Sequence, residues 1–174
     1  MKLIYRTAYM NKLASAMGTP DIKVITGIRR CGKSKLLEAF ADQIRASFPT
    51  ANIIRINFNL LEFEPLMQYR ALHDYVEKHF VEGCNNVVII DEVQMCEGFE
   101  KAINSLHASE KYDIYITGSN AFLLSNDLST LFTGRTFEVE VFPFSLAEFA
   151  QYHEITSPDE ALTRYLREGG MPGS

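Results

Sequence analysis

Residues 27 to 34 read Gly-Ile-Arg-Arg-Cys-Gly-Lys-Ser, which satisfies the pattern G-x-x-x-x-G-K-[S/T]. The chemistry of that pattern is phosphate binding. Gly27 and Gly32 let the backbone wrap closely around an anion, and successive N–H groups converge on it together with the positive end of a following helix. Lys33 would reach the β and γ phosphates of a nucleotide, and Ser34 would hold Mg²⁺. The nucleotide-contacting set predicted from this stretch is Gly27, Ile28, Arg29, Arg30, Cys31, Gly32, Lys33, Ser34 and Lys35. A plain glycine turn needs neither the lysine nor the hydroxyl at these offsets.

A second set of residues lies downstream. Asn86-Val87-Val88-Ile89-Ile90-Asp91-Glu92 is an apolar run that ends in two adjacent acids. A strand buried on both faces exposes carboxylates only at its carboxyl end, where open α/β sheets bind ligands. Asp91 is placed to orient Mg²⁺ together with Ser34. Glu92, which as the next residue along the strand points another way, is placed to polarise a water for attack on a γ-phosphate. A third set, Thr117, Ser119 and Asn120, closes the run Tyr115-Ile116-Thr117-Gly118-Ser119-Asn120; it would hydrogen-bond the attacking water or the γ-phosphate, or else form an ordinary turn and helix cap.

These groups need a scaffold, and the apolar pattern supplies one. Ile22, Val24 and Ile25 precede the phosphate-binding loop, and short β-branched runs recur at 52–58, 86–90, 112–117 and 136–141. Helical patterns lie between and after them, at 35–48, 66–81, 99–108, 146–152 and 159–167. Strands alternating with helices predict an α/β fold of three layers around a mainly parallel five-stranded sheet. The separation of Lys33 from Asp91 leaves room for another strand between the two motif strands.

Composition narrows the function classes. Among 174 residues, 47% apolar and 22% charged is ordinary for a globular chain, and the net charge of −5 argues against a broad footprint for nucleic acid. No run of about eighteen apolar residues is present, so the chain is expected to have no membrane partner and to lie in the cytoplasm. Cys31, Cys84 and Cys96 lack C-x-x-C spacing, which favours neither a disulfide framework nor a zinc site. Cys31 has two readings: a thiol activated by Arg30, Lys33 and a helix start, or a small residue filling a tight loop.

Taken in order, these motifs resemble the AAA+ ATPase superfamily, in particular its bacterial and archaeal predicted ATPases. The match rests on the phosphate loop, on Ile89-Ile90-Asp91-Glu92-Val93-Gln94, on Ile116-Thr117-Gly118-Ser119-Asn120, on Leu131-Phe132-Thr133-Gly134-Arg135, and on the Pro-Phe-Ser-x-x-Glu-Phe stretch from Pro143 to Phe149. The resemblance implies that Gly27, Gly32, Lys33 and Ser34 form a Walker A motif, that Asp91 and Glu92 form Walker B, and that Ser119 or Asn120 is a first sensor. It further implies that Arg135 is an arginine finger acting on a neighbouring copy, with assembly into a homo-oligomer. Tyr5 and Arg6 fall where an adenine-contacting segment is expected, and Asn57 where a polar residue tethers the catalytic glutamate.

The expected organisation is an ATPase core over 1–152 and a C-terminal helical segment over 153–174 that begins a lid or effector domain, through which a DNA or protein partner would be met. The expected activity is hydrolysis of MgATP to ADP and phosphate, carried by Glu92, Lys33, Arg135, Ser119 and Asn120, with Ser34 and Asp91 on the metal. A nucleotide-dependent binding switch with negligible turnover is the main alternative, and a small-molecule kinase a third.

Overall fold

The computed structural model describes residues 6–119, 128–132 and 136–171. Five strands, β1 (Ile22–Thr26), β2 (Asn52–Asn57), β3 (Asn86–Asp91), β4 (Tyr112–Thr117) and β5 (Thr136–Glu140), form one sheet in the order β2-β3-β4-β1-β5. Every neighbouring pair is parallel. The β4 strand fills the space between the strand leading into the phosphate loop and the strand ending in the acids.

Because side chains alternate along a strand, the two faces of the sheet build two cores. Val88 and Ile90 of β3 point with Ile54, Ile56, Ile114 and Ile116 toward helices α3 (Tyr69–Lys78) and α4 (Phe99–Ala108), where they meet Leu72, Val76, Ile103 and Leu106. Val87 and Ile89 point the other way with Ile25, Tyr115 and Val139. There they meet Met10 and Leu13 of α1 (Thr7–Ala16), and Leu37, Phe40 and Ile44 of α2 (Lys33–Ser47). Burial on both sides is why β1 and β3 read as continuous rather than alternating apolar runs. Truncating Ile89, fully buried, to Ala would cost about 2–5 kcal/mol.

A buried charge interrupts this pattern. Lys23, at 0% exposure, donates to the Thr19 carbonyl at 2.7 Å and to Asp113 Oδ1 at 2.5 Å, while Asp113 Oδ2 accepts the Gly18 N–H at 2.9 Å. The network fastens the turn after α1 to the amino-terminal ends of β1 and β4.

Two elements differ from the sequence pattern. Helix α1 carries Met10, Leu13 and Ala16 on its buried side at helical spacing, but it has no side-chain N-cap and is short, so its signal is weak. The predicted helix over 66–81 is instead a 3₁₀ segment at Leu61–Leu66 followed by α3. Between them Gln68 is extended and bridges Glu97, which accepts the Tyr69 N–H at 2.9 Å, and this pairing sets the later helix start.

Past β5, helix α5 (Leu146–His153) opens with a capping box in which Ser145 and Glu148 satisfy each other's backbone N–H. Helix α6 (Pro158–Glu168) follows, capped by Ser157 with proline in its first turn. Phe144 and Phe149 bury against Tyr152, Ile155 and Tyr165, a small third core that joins α5 to α6.

Candidate functional site

Parallel strands put the ends of β1, β3 and β4 on one edge of the sheet, and the sequence-predicted residues gather there. The loop after β1 is tight. A Cβ on Gly27 would stand 2.5 Å from the Val141 carbonyl oxygen and 2.6 Å from Cys31 Sγ, so only glycine fits. Gly32 caps α2 in the left-handed region at φ 99°, and Arg30 is left-handed too, at φ 67°. A non-glycine residue held there is strained by about 1–3 kcal/mol, a condition found most often at functional sites.

Lys33 is nearly buried. Its ammonium donates to the carbonyls of Gly27 and Ile28, each at 2.9 Å, and lies 3.8 Å from Cys31 Sγ. Cys31 is itself fully buried and packed on Gly27, so of its two readings the geometry fits the small residue filling a tight loop. The Lys35 side chain turns away to pair with Glu38 at 2.7 Å. Ile28 and Arg29 are exposed at the tip of the loop.

The two motifs meet directly. Ser34 Oγ donates to Asp91 Oδ1 at 3.2 Å, and Thr117 Oγ donates to the same oxygen at 3.0 Å. Thr117 also accepts the Glu92 N–H at 3.0 Å, so the end of β4 holds both acids in place. Thr117 is fully buried and spent on this scaffold, unlike the water contact considered for it from sequence. Among the described residues, Asp91 Oδ2 is buried without a hydrogen-bond partner and the nearest cation is Arg55, at 4.0 Å. Burial pushes the Asp91 carboxyl above the usual carboxylate range, against the pull of Thr117, Arg55 and Ser34. An orphaned carboxylate oxygen beside a serine hydroxyl is a hard-oxygen donor set that fits Mg²⁺, which typically takes one or two protein ligands and completes its shell with phosphates and water.

Glu92 leaves β3 in the left-handed conformation at φ 55°, which turns its side chain away from that of Asp91. Its Oε2 accepts a short hydrogen bond from the Gln94 amide. This is a correction to the expected tether: Asn57 instead accepts the Asn59 N–H at 3.0 Å, and Gln94 is the residue that engages Glu92. A 440 Å³ cavity brings together Arg29, Arg30 and Ser34 of the loop, Glu92, Gln94 and Met95 after β3, Asn59 after β2 and Ser119 after β4. Asn120, Arg135 and Tyr5 lie outside the described residues.

Arg6 differs most from expectation. It is buried at 5% exposure and committed to Glu148 and to backbone carbonyls, so its guanidinium is not available to a base. A separate 420 Å³ cavity opens at the opposite end of the sheet beside Thr19, Pro20, Asn86 and Asp113, where the Asp113 carboxylate is already engaged by Lys23 and Gly18. Asn59, Met95 and Arg55 stand outside the sequence motifs, and Gln94 stands in the acid motif without an assigned role. The signals for two of them are Arg55 inside the apolar run of β2 and Gln94 two residues past Glu92.

Fold and site together define an AAA+ ATPase-like domain of the P-loop class. The chain belongs to the AAA domain family, whose model matches residues 19–150. An uncharacterized protein of Haemophilus influenzae is 34% identical over 98% of this chain and 44% of its own length. An uncharacterized protein of Methanocaldococcus jannaschii is 30% identical over 87% of this chain and 35% of its own. The chain thus spans less than half the length of the curated relatives it matches. Among solved structures, Cdc6p from Pyrobaculum aerophilum superposes with a TM-score of 0.63 at 13% identity, over 93% of this chain and 50% of that one. The Aeropyrum pernix ORC1 protein in complex with DNA gives 0.63 at 12%, over 99% and 52%. Caenorhabditis elegans PCH-2 gives 0.61 at 18%, over 96% and 50%. At these identities the three show the fold alone. No helix among the described residues is long and apolar enough to cross a membrane.

Proposed function

We propose that this domain binds MgATP at the carboxyl end of its sheet and hydrolyses it to ADP and phosphate, using the cycle to drive a conformational change. The observation that carries the reading is the Ser34–Asp91 hydrogen bond, which joins the phosphate loop to the acid pair. Backbone amides of Gly27 to Lys33 would cradle the phosphates, and Lys33 would exchange its loop carbonyls for phosphate oxygens. Ser34 and Asp91 would hold Mg²⁺, whose contribution is to neutralise charge developing on the phosphates. Glu92 would take the proton of the attacking water, with Ser119 or Asn120 orienting that water or the γ-phosphate. Arg29 and Arg30, at the mouth of the cavity, would meet phosphate charge.

Arg135 is proposed as a finger supplied to a neighbouring copy. Residues 153–174 are proposed to begin a further helical unit through which a DNA or protein partner is met, and the site of action is proposed to be the cytoplasm. The Gln94 hydrogen bond to Glu92 favours a second reading, a nucleotide-dependent switch with little turnover, since it engages the proposed base. Phosphate release from MgATP by purified protein tests the first reading. Release that is abolished in Glu92→Gln supports it, whereas MgATP binding without any release favours the switch.

A further inference from the structure

Arg6 connects four separate parts of the chain. Its Nη1 donates to the Cys31 carbonyl in the phosphate loop at 3.2 Å, and its Nη2 donates to the Phe142 carbonyl after β5 at 2.8 Å. Nε and Nη2 grip Glu148 of α5 as a fork, at 2.9 and 3.0 Å. The guanidinium lies over the Tyr9 ring of α1 at 4.6 Å and near the Phe144 ring at 5.3 Å. Arg6 is buried while Glu148 keeps 23% of its side chain exposed, so the contact is distinguished by its geometry, a two-point fork from a guanidinium that also holds backbone carbonyls, more than by burial of charge. The arrangement therefore calls for a positional role.

Peptide geometry supplies one. The Cys31 carbonyl and the Gly32 N–H belong to one planar trans peptide and point in opposite directions. Holding the carbonyl on Arg6 thereby fixes the direction of the Gly32 N–H, one of the amides that a phosphate in this loop must meet. Glu148 is in turn fixed by the cap of α5, where its Oε2 accepts the Ser145 N–H at 2.9 Å. Next to that cap, Phe144 reaches α6: its N–H donates to the Gly170 carbonyl at 2.5 Å and its carbonyl accepts the Tyr165 hydroxyl at 2.8 Å. The Pro143 to Phe149 stretch, which the hydrolytic site leaves without a task, is where this relay lies.

We propose that Arg6 and Glu148 are a positioning pair that sets the amides of the phosphate loop and couples nucleotide occupancy to the docking of α5 and α6. The proposal rests on reading residues 27–34 as the nucleotide phosphate site. Coupling of this kind is reciprocal: a nucleotide that tightens the loop must tighten the α5–α6 contact by the same factor.

Calorimetric titration of MgADP and hydrogen exchange over residues 144–168, with and without MgADP, test the pair in wild type, Arg6→Lys and Glu148→Gln. Lysine keeps the charge but cannot span three acceptors. Glutamine keeps an acceptor for the Ser145 N–H, so the helix cap survives and this variant decides the matter if Arg6→Lys does not fold. The expected result is nucleotide-dependent slowing of α5–α6 exchange in wild type, with the slowing lost and affinity reduced on the order of tenfold in both variants. Arg164→Ala, which breaks only the surface pair with Glu168, leaves affinity and exchange response as in wild type. Wild-type affinity in both variants, or an α5–α6 exchange pattern in wild type that ignores bound MgADP, overturns the proposal while leaving nucleotide binding intact. Absence of MgADP binding to wild type overturns the nucleotide reading along with it.

Discussion

The Ser34 hydroxyl donates to the Asp91 carboxylate at 3.2 Å across a separation of 57 residues. The contact exists because β4 lies between β1 and β3 and all three strands run the same way, so a loop after one strand and an acid at the end of another share an edge. Replacing Ser34 with Ala removes one hard-oxygen donor from the proposed Mg²⁺ set. MgATP affinity is expected to fall about tenfold or more, as for a lost hydrogen bond to a charged group, while affinity measured in EDTA changes little. Equal losses with and without Mg²⁺ in fluorescent-nucleotide titrations would take Ser34 off the metal.

Asp91 carries a prediction of opposite sign for binding and stability. Its folded pKa stands above the unfolded value because burial disfavours the ionised form. An acid so shifted costs stability at neutral pH, and the cost is relieved as pH falls through the raised folded pKa. Asp91→Asn keeps an acceptor for Ser34 and Thr117 and removes the buried charge. Its thermal midpoint at pH 7 without nucleotide should equal or exceed that of wild type, while Mg²⁺-dependent binding is lost. A midpoint several degrees below wild type would show that ionised Asp91 stabilises the fold.

Glu148 behaves in the opposite way. Burial alone would raise its carboxyl, but the Arg6 hydrogen bonds, the Ser145 N–H and the Arg6 charge outweigh that and hold it below the usual range. Such a group contributes stability above its unfolded pKa of about 4.3, and the contribution disappears as pH falls through the lower folded pKa. Urea unfolding at pH 7 and at about pH 3 should therefore show a stability gap between wild type and Glu148→Gln that narrows in acid. A gap independent of pH would contradict the pairing.

At the far end of the sheet, Asp113→Ala would take from the fully buried Lys23 ammonium its anionic partner, leaving the Thr19 carbonyl and the face of the Tyr115 ring. Breaking one side of a buried ion pair costs about 3–5 kcal/mol. Denaturant unfolding should show that loss, and a loss below about 1 kcal/mol would mean that water reaches Lys23.

Much of this arrangement is legible in the residues themselves. β1 and β3 can be read because burial on both faces makes each a continuous apolar run, β2, β4 and β5 because each is short and β-branched, and the spacing between Lys33 and Asp91 leaves room for β4. What escapes is whatever depends on long-range closure. Arg6 and Glu148 stand 142 positions apart, and nothing near Arg6 marks it as a buried clamp rather than a base contact. Gln94 engages Glu92 only because Glu92 turns into the left-handed region, a conformation no local pattern announces for a glutamate. Helix α1 lacks a side-chain cap, and the 3₁₀ segment before α3 depends on the pairing of Gln68 with Glu97.

The central claim is that the loop from Gly27 to Ser34 is a nucleotide phosphate site, and calorimetric titration of MgATP into wild type and Lys33→Ala tests it most directly. Lys33 already has its ammonium held against the loop by the Gly27 and Ile28 carbonyls. Wild type should bind MgATP saturably at one site, and Lys33→Ala should lose about 1.5–3 kcal/mol of binding, roughly ten- to a hundredfold. Equal affinity in the two proteins, or no saturable binding by wild type, would contradict the assignment.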